Sequence, residues 1–469
     1  MKKLLLILFI ITGLISCNSK SDSSCGSAFI GGQIVNPVND HLILYDDSTP
    51  IDTLYLDKDN RFAYEIETLS PGLHGVIHGG EYQVIVLEPN DSIMLRLNTL
   101  DFDKSLVFTG KGSKKNNYLI NLYNDFAAED KLVYDISKLE PEQFLVTIDS
   151  LKNQKLKNLN LFTSKYESSV LFKKIALAHI NYGYSTHKEA YPFRYFGRHE
   201  LINKSNLPAN FYDFRAEIDY NEDILKDFYP YYSFLFLHFN NLALERYFEI
   251  TKDSIFNKNS IIYNMNKLDL MEEHVENEDI KNNLLKYTTR NFLSYNISDA
   301  DCDTMYESFQ KKSTSEKHKD YITSLYTALK ELRPGNKFPD VDVLDYKNQS
   351  VNINTMFDKP TVIYFWSHAV KNHFKNSHKK AAEFKKAYPN INFISINMNA
   401  EKFSMWKRFL NQNNFPLEGE YRFENTISAK KILAIQYINK VMVVDKNRQI
   451  INSNANMFDS NFIKLLEFL

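Results

Sequence analysis

Cysteine is scarce in this 469-residue chain, which holds only Cys17, Cys25 and Cys302. No C-x-x-C pair exists, so the chain lacks the motif in which one thiolate attacks a disulfide and a second thiol resolves the mixed disulfide. Whether Cys25 and Cys302 pair is left open, because a disulfide needs Cα atoms within about 7 Å and the sequence does not fix their separation. The pattern favours two unrelated thiols.

Neither positive nor negative charge is in clear excess, and the common nucleotide-binding motifs are absent. Lys and Arg number 56 against 58 Asp and Glu, which gives a net charge of −2, so nothing favours nucleic acid as a partner. There is no Walker A loop, no dinucleotide fingerprint and no G-x-S-x-G elbow, and we therefore expect neither a nucleotide cofactor nor a serine nucleophile of that type. No cofactor of any kind is predicted.

Long apolar runs are absent except for a short one at the N-terminus. Residues 4–11 are apolar and follow two lysines, but the run is too short to cross a hydrocarbon core of about 30 Å, which favours a signal peptide over a membrane span. Leu14-Ile15-Ser16-Cys17 resembles the lipobox of bacterial lipoproteins, which implies residues 1–17 as the signal peptide and Cys17 as the lipid-attachment site.

Lipidation of Cys17 would hold the mature protein at a membrane, because several acyl chains anchor stably where a single chain does not. Residues 18–27 are small and polar and suit a tether. We therefore expect a lipid-anchored protein of the cell envelope, facing the periplasm or at the outer membrane. The alternative is an ordinary secretory signal with an incidental cysteine.

The remaining chain shows three successive patterns, which predict a multidomain α+β protein. Residues 28–113 form short alternating runs separated by turn signals, typical of an antiparallel β-sandwich. Residues 114–334 carry apolar residues at helical spacing and predict an all-α region. Residues 335–469 alternate apolar strands such as "TVIYFW" with amphipathic helices and end in a hairpin, which predicts an α/β domain around a central sheet.

The C-terminal segment resembles the thioredoxin-like domains of the TlpA/ResA type found on bacterial envelope lipoproteins. The resemblance is carried by "GNKFPDVDVLD", "KPTVIYFWS", "NINFISINMN", "MWKRFL" and "VMVVDKNRQI". The N-terminal β-rich region, with "NRFAYEIE", "VLEPNDSIMLRL" and "FTGKGSKKNNYL", resembles the small domain of unassigned function that often precedes such domains. The resemblance implies a thioredoxin-like fold for residues 335–469.

The active-site positions depart from this family. Its buried strand ends Phe-Trp-x-x-x-Cys-x-x-Cys, and counting from Trp366 places the two cysteine positions at Val370 and His373. The family's cis-proline lies six residues before the strand's terminal aspartate; counting back from Asp445 gives Asn439. A cis bond before a residue other than proline costs about 2.5–4 kcal/mol, so we expect a trans loop. The resemblance thus implies degenerate active-site positions and no catalytic residue.

Two other features suggest ligand sites and are weighed against simpler interpretations. His368, His373 and His378 follow each other at five-residue steps, and on a helix each step turns about 500°, so the three cannot share one face. This favours solvated histidines over a metal site. Residues 227–248 are rich in aromatic side chains, which at helical spacing favours a core helix over a glycan or peptide platform.

The functional interpretation that follows is a membrane-anchored lipoprotein whose thioredoxin-like domain is a redox-inactive binding or scaffold module for a protein or peptide. The alternative is a TlpA/ResA-type thiol-disulfide oxidoreductase that uses Cys302 or Cys25; it requires an exposed, reactive Cys302 near the thioredoxin-like groove. A third hypothesis is a metal or glycan binder. The identity of the partner, the membrane and the oligomeric state stay open.

Overall fold

The computed structural model describes residues 26–46, 49–197, 207–253, 255–295, 298–368, 370–399 and 403–469. The predicted signal peptide, Cys17 and Cys25 lie outside the described residues. Of the helices described, none is both long enough and apolar enough to cross a membrane. By their contacts, the described residues up to His78 together with Tyr82–Asn124 form one compact unit, and Gly79–Glu81 with Asp125–Leu469 form a second. The finer domain boundaries stay predictions.

The N-terminal region is β-rich, as the short alternating runs predict. Its described residues form one short helix and eight strands: β1 Gly26–Val35, β2 His41–Asp46, β3 Thr49–Tyr55, β4 Arg61–Leu69, β5 Gly72–His78, β6 Glu81–Leu87, β7 Ser92–Asn98, α1 Phe102–Ser105 and β8 Val107–Lys111. They form two four-stranded sheets, ordered β4-β1-β7-β8 and β3-β2-β5-β6. Their apolar faces share one core, in which Ile30, Leu44 and Ile93 are fully buried.

One strand pair departs from the predicted antiparallel arrangement. β1 and β7 run parallel, with Ile30 opposite Ile93, whereas β1 with β4 and β7 with β8 are antiparallel. The chain passes from β1 to β2 and β3 in the second sheet, returns to the first sheet for β4, and builds β5 and β6 in the second before β7 enters beside β1 in the same direction. Side-chain alternation is the same in both kinds of pairing, which is why the sequence does not indicate the parallel pair.

The middle region is all-helical, as predicted. Its described α-helices are α2 Ser113–Ile136, α3 Pro141–Lys165, α4 Val170–Tyr195, α5 Tyr229–Thr251, α6 Ile261–His274, α7 Glu278–Tyr295, α8 Asp299–Lys312 and α9 Glu316–Glu331. From α3 to α9 each helix packs against the next. The aromatic segment forms α5, which buries Tyr231, Phe234 and Phe239 completely, in agreement with the core interpretation.

The C-terminal region is an α/β domain around a seven-stranded sheet. Its elements are β9 Asp342–Leu344, β10 Ser350–Asn352, β11 Thr361–Trp366, α10 Lys371–Ala387, β12 Asn392–Asn397, α11 Phe403–Gln412, β13 Glu420–Phe423, α12 Thr426–Ile432, β14 Val441–Val444, β15 Ile450–Ala455 and α13 Asn461–Glu467. The strand order is β10-β9-β13-β12-β11-β14-β15. Every residue of the central strand β11 is buried, so both of its faces are covered.

Helix α9 of the middle region belongs to the core of this C-terminal domain. Leu325 in α9 and Leu332 just after it are buried in the same apolar cluster as Val343, Ile363 and Val444. Burying such leucines contributes about 1.5–3 kcal/mol each, so α9 stabilises the sheet it covers. The candidate site lies at the carboxyl end of β11, close to the start of α10.

Candidate functional site

Val370 stands at the head of α10, in the position where the family resemblance implies the first cysteine. Its amide donates to the carbonyl of Ser367 at 3.2 Å, and its own carbonyl accepts from Phe374 at 2.9 Å, which starts the helix directly after the buried strand. Its side chain is 43% exposed. A thiolate here would be stabilised by the positive end of the helix dipole; the isopropyl group of Val370 instead offers solvent a small apolar surface.

His373 occupies the second cysteine position, in the first turn of α10. Its ring meets Phe458 edge-on, with the ring centroids 5.9 Å apart and the planes at 70°. Burial lowers the pKa of His373 below its ordinary value, and nearby His378 adds to that effect. Phe458 is 46% exposed. Val370 caps the helix three residues before His373, and His373 contacts Phe458; these three residues are called the α10 patch below.

Trp366 lies directly beneath the head of the helix and belongs to the core. Its ring stacks on Phe374 at 4.4 Å with the planes at 20°, and it shares a fully buried cluster with Trp406 and Leu410. Its carbonyl accepts from the amide of Met398 at 2.8 Å. Trp366 therefore positions the turn that presents Val370, and its side chain is closed to a ligand.

Asn439 lies at the same end of the sheet as the α10 patch. It precedes β14, which pairs antiparallel with β11 so that Val441 faces Tyr364; continuing this register by two residues sets Asn439 level with Trp366. The described residues contain no cis peptide bond, so the Asn439 loop is trans. The topology thus brings Trp366, Val370, His373 and Asn439 to one edge of the sheet.

His378 corrects the expectation of solvated histidines, because it is only 6% exposed. Its Nδ1 donates to the carbonyl of Phe374 at 2.8 Å, and its Nε2 lies 3.2 Å from Oε1 of Glu420 and 3.4 Å from Oγ of Ser395. The ring stacks on Phe415 at 4.3 Å. The physical reason is its place on the buried stripe of α10, four residues after Phe374.

Glu420 completes a buried polar cluster with His378 beneath the α10 patch. It begins β13 and is 4% exposed, and its Oε2 has no hydrogen-bond partner among the described residues. Burial raises the pKa of Tyr364 well above its ordinary value, and the charge of Glu420 adds to this effect. The sequence reasoning missed this cluster; the helical stripe through Phe374 and Ala381 is the signal that points to His378.

The three histidines do not meet around one point. His368 stacks on Phe409 at 4.3 Å, His373 turns towards Phe458, and His378 is bound to Glu420. Within the part of the chain that the structure describes, no three His, Cys, Asp or Glu side chains are placed to share a metal ion.

Cys302 does not meet the requirement that the oxidoreductase alternative places on it. It lies in α8 and is 3% exposed, and burial raises the pKa of its thiol above the ordinary value. A raised pKa lowers the thiolate fraction, and the thiolate is the nucleophile. Helix α8 packs on α6, α7 and α9. Cys302 is therefore not the exposed thiol that the oxidoreductase alternative requires.

Comparison with known proteins identifies the class of the C-terminal domain. Residues 358–450 match the family model described as thioredoxin-like. Similar solved structures include a candidate thiol-disulfide oxidoreductase from Bacteroides vulgatus, at 20% identity over 29% of this chain and 97% of the other, with a TM-score of 0.26.

Two further structures are similar over the same share of this chain, 29%. One is the thioredoxin domain of a thiol-disulfide oxidoreductase from Bacteroides vulgatus, with 15% identity, 97% of that chain and a TM-score of 0.26. The other is a candidate thiol:disulfide interchange protein DsbE from Chlorobium tepidum, with 16% identity, 94% of that chain and a TM-score of 0.25. No curated protein matches the chain. The protein thus carries a C-terminal thioredoxin-like domain.

Proposed function

We propose that this protein is a membrane-anchored envelope lipoprotein whose thioredoxin-like domain is redox-inactive and binds a polypeptide through the α10 patch. Cys17 would carry the lipid, as its lipobox-like context indicates. The domain would keep the surface on which a thioredoxin-like fold meets its substrate and lack the sulfur that exchanges electrons with it.

The observation that carries this proposal is the chemistry at the head of α10. Disulfide exchange needs a thiolate and a resolving thiol, and the two positions hold Val370 and His373. The one described cysteine, Cys302, is buried in α8. The patch has no thiol, and it exposes the apolar side chains of Val370 and Phe458. Exposed apolar side chains can be buried by a partner polypeptide.

Photo-cross-linking from the native envelope tests this binding. The chain would carry a benzophenone side chain at position 370 or, as the control, at Val146, an exposed valine on α3 (71% exposed). We expect a discrete adduct from position 370 and none from position 146. An excess of unlabelled wild-type chain should compete the adduct away, and a Val370→Asp/Phe458→Asp chain should not.

Both aspartate substitutions fall on exposed side chains, so the variant should fold, and its tryptophan emission would confirm that. Equal adduct yields from positions 370 and 146 would refute binding at the α10 patch. So would full competition by the aspartate variant, because that result would place the contact elsewhere on the chain.

A further inference from the structure

A second candidate site lies in the helical region, remote in sequence from the α10 patch. A cleft of about 180 Å³ opens where α5, α6 and α7 meet. Phe236 and Asn240 line it from α5, and Tyr287, Asn291 and Tyr295 line it from α7. The rings of Phe236 and Tyr287 stack with their centroids 4.0 Å apart. The walls therefore combine flat aromatic surface with amide groups.

Two amines enter this cleft, and no described carboxylate lines it. Lys267 comes from α6, and Lys258 from the segment that precedes α6. The side-chain amide of Asn264 donates to the carbonyls of Lys258 and Ser260 at 3.1 and 2.9 Å, which fixes that segment against the helix. The cleft thus carries positive charge without a counter-ion of its own among the residues described.

Lys267 is the amine whose surroundings most favour an anion. Its Nζ lies 4.6 Å from the ring centroid of Tyr263, and no ion pair joins it to a described acidic residue. Burial alone lowers the pKa of Lys267 to about 7. A desolvated ammonium without an opposite charge is unfavourable, and an anion at its side would relieve that cost.

We propose that this cleft binds a small organic carboxylate that also carries hydroxyl groups, about the size of one sugar acid, with the carboxylate on Lys267. The volume is below the roughly 300–1,000 Å³ of pockets for drug-sized ligands, so a single ring fits and an oligomer does not. The ring carbons would contact the edges of the stacked Tyr287 and Phe236 rings. The side-chain amide of Asn240 and the amide nitrogen of Asn291 would hydrogen-bond the hydroxyl groups, because the amide oxygen of Asn291 already accepts from Tyr437 and Arg290. This proposal is independent of the proposed function of the α10 patch.

Binding should depend on pH because the carboxylate stabilises the charged form of Lys267. Above about pH 7 the free amine is largely neutral, so binding takes up one proton and the affinity should fall by up to about tenfold for each pH unit. The titratable groups that line the cleft with Lys267 are Lys258, Tyr287 and Tyr295, and its Nζ lies over the ring of Tyr263. The charged side chains nearby on the helices packed against α6 are held by other contacts: Arg246 pairs with Glu273, Lys312 pairs with Asp269, and Arg290 lies over the Tyr287 ring.

Calorimetric titration of the full-length chain with D-glucuronate and with D-glucose tests the proposal, because these probes differ only in the carboxylate. We expect glucuronate to bind, glucose to bind at least about tenfold more weakly, and the glucuronate affinity to fall as the pH rises from about 7 to 9. A ligand-dependent rise of the unfolding temperature is the second readout, since it does not depend on the heat of binding.

Variants at the amine separate a binding role from a structural one. Lys267→Met should lower the glucuronate affinity at least about tenfold and abolish its pH dependence. Lys267→Arg should keep binding and lose the pH dependence, because arginine stays charged. Lys157→Met, on the exposed face of α3, should change nothing. Equal binding of glucose and glucuronate, unchanged binding by Lys267→Met, or no signal from glucuronate in either readout would overturn the proposal.

Discussion

The pair formed by His378 and Glu420 gives the sharpest test of how the thioredoxin-like domain is held together. Replacing Glu420 with leucine removes the nearer partner of His378 Nε2 and leaves it only the longer 3.4 Å contact with Oγ of Ser395, in a site where both His378 and Glu420 are almost fully buried. An unsatisfied buried hydrogen-bonding group costs about 2 kcal/mol, and an uncompensated buried charge costs about 4 kcal/mol. We therefore expect Glu420→Leu to lower the free energy of unfolding of this domain by about 2–4 kcal/mol.

The assay can isolate this domain, because the chain has only two tryptophans and both, Trp366 and Trp406, are fully buried in it. Urea unfolding followed by tryptophan emission thus reports the thioredoxin-like domain. With a urea dependence of about 2 kcal/mol per molar, Glu420→Leu should lower the midpoint by about 1–2 M. Glu420→Gln, which keeps an acceptor for His378, should lose less than half as much.

The double variant His378→Phe/Glu420→Leu completes a thermodynamic cycle. Because it removes both polar partners, it should recover most of the stability that Glu420→Leu loses. If Glu420→Leu unfolds at the wild-type urea concentration, or if the two single losses simply add in the double variant, the assignment of His378 and Glu420 as a stabilising pair is wrong.

Three further outcomes follow from buried groups elsewhere. Burial lowers the pKa of Lys440 to about 7, against about 10.4 when unfolded, so the unfolded state binds the extra proton above pH 7 and stability rises with pH. The free energy of unfolding of the wild-type chain, measured by tryptophan emission in urea, should therefore rise by about 2–3 kcal/mol between about pH 7 and 9 relative to that of Lys440→Met. Glu189 is fully buried and accepts from Arg215 and His238 at 2.7 Å, so Glu189→Leu should destabilise the helical region by about 3–5 kcal/mol, measured by far-UV circular dichroism in urea; an unchanged curve would contradict this. Cys302 should resist iodoacetamide in the native protein and react in urea, and rapid native labelling would refute its burial.

The long elements of this fold could be predicted from the sequence because each carries its own signal. "TVIYFW" is apolar throughout, and β11 is indeed covered on both faces. The buried stripe of α5 follows in the same way from its aromatic spacing. In contrast, β13 has four residues and α12 has seven, too few for a periodic pattern to emerge, so neither was predicted.

The site was predictable in part. The positions of Val370 and His373 followed from a count along the chain, and the structure places them on one turn of α10. The burial of His378 was missed because the histidines were compared with each other and not with Phe374 and Ala381 on the same helix. The Lys267 cleft depends on how three helices pack, and its residues are too far apart in sequence to suggest a site.

The most direct test of redox inactivity is the rate at which the purified full-length chain reduces insulin disulfides in the presence of dithiothreitol. The wild-type chain should add nothing to the rate of dithiothreitol alone, because Val370 and His373 offer no thiolate. The Val370→Cys/His373→Cys variant serves as the matched control for a restored dithiol. Turnover by the wild-type chain above the dithiothreitol rate would contradict the account, because one of the cysteines outside residues 335–469 would then act as a redox thiol.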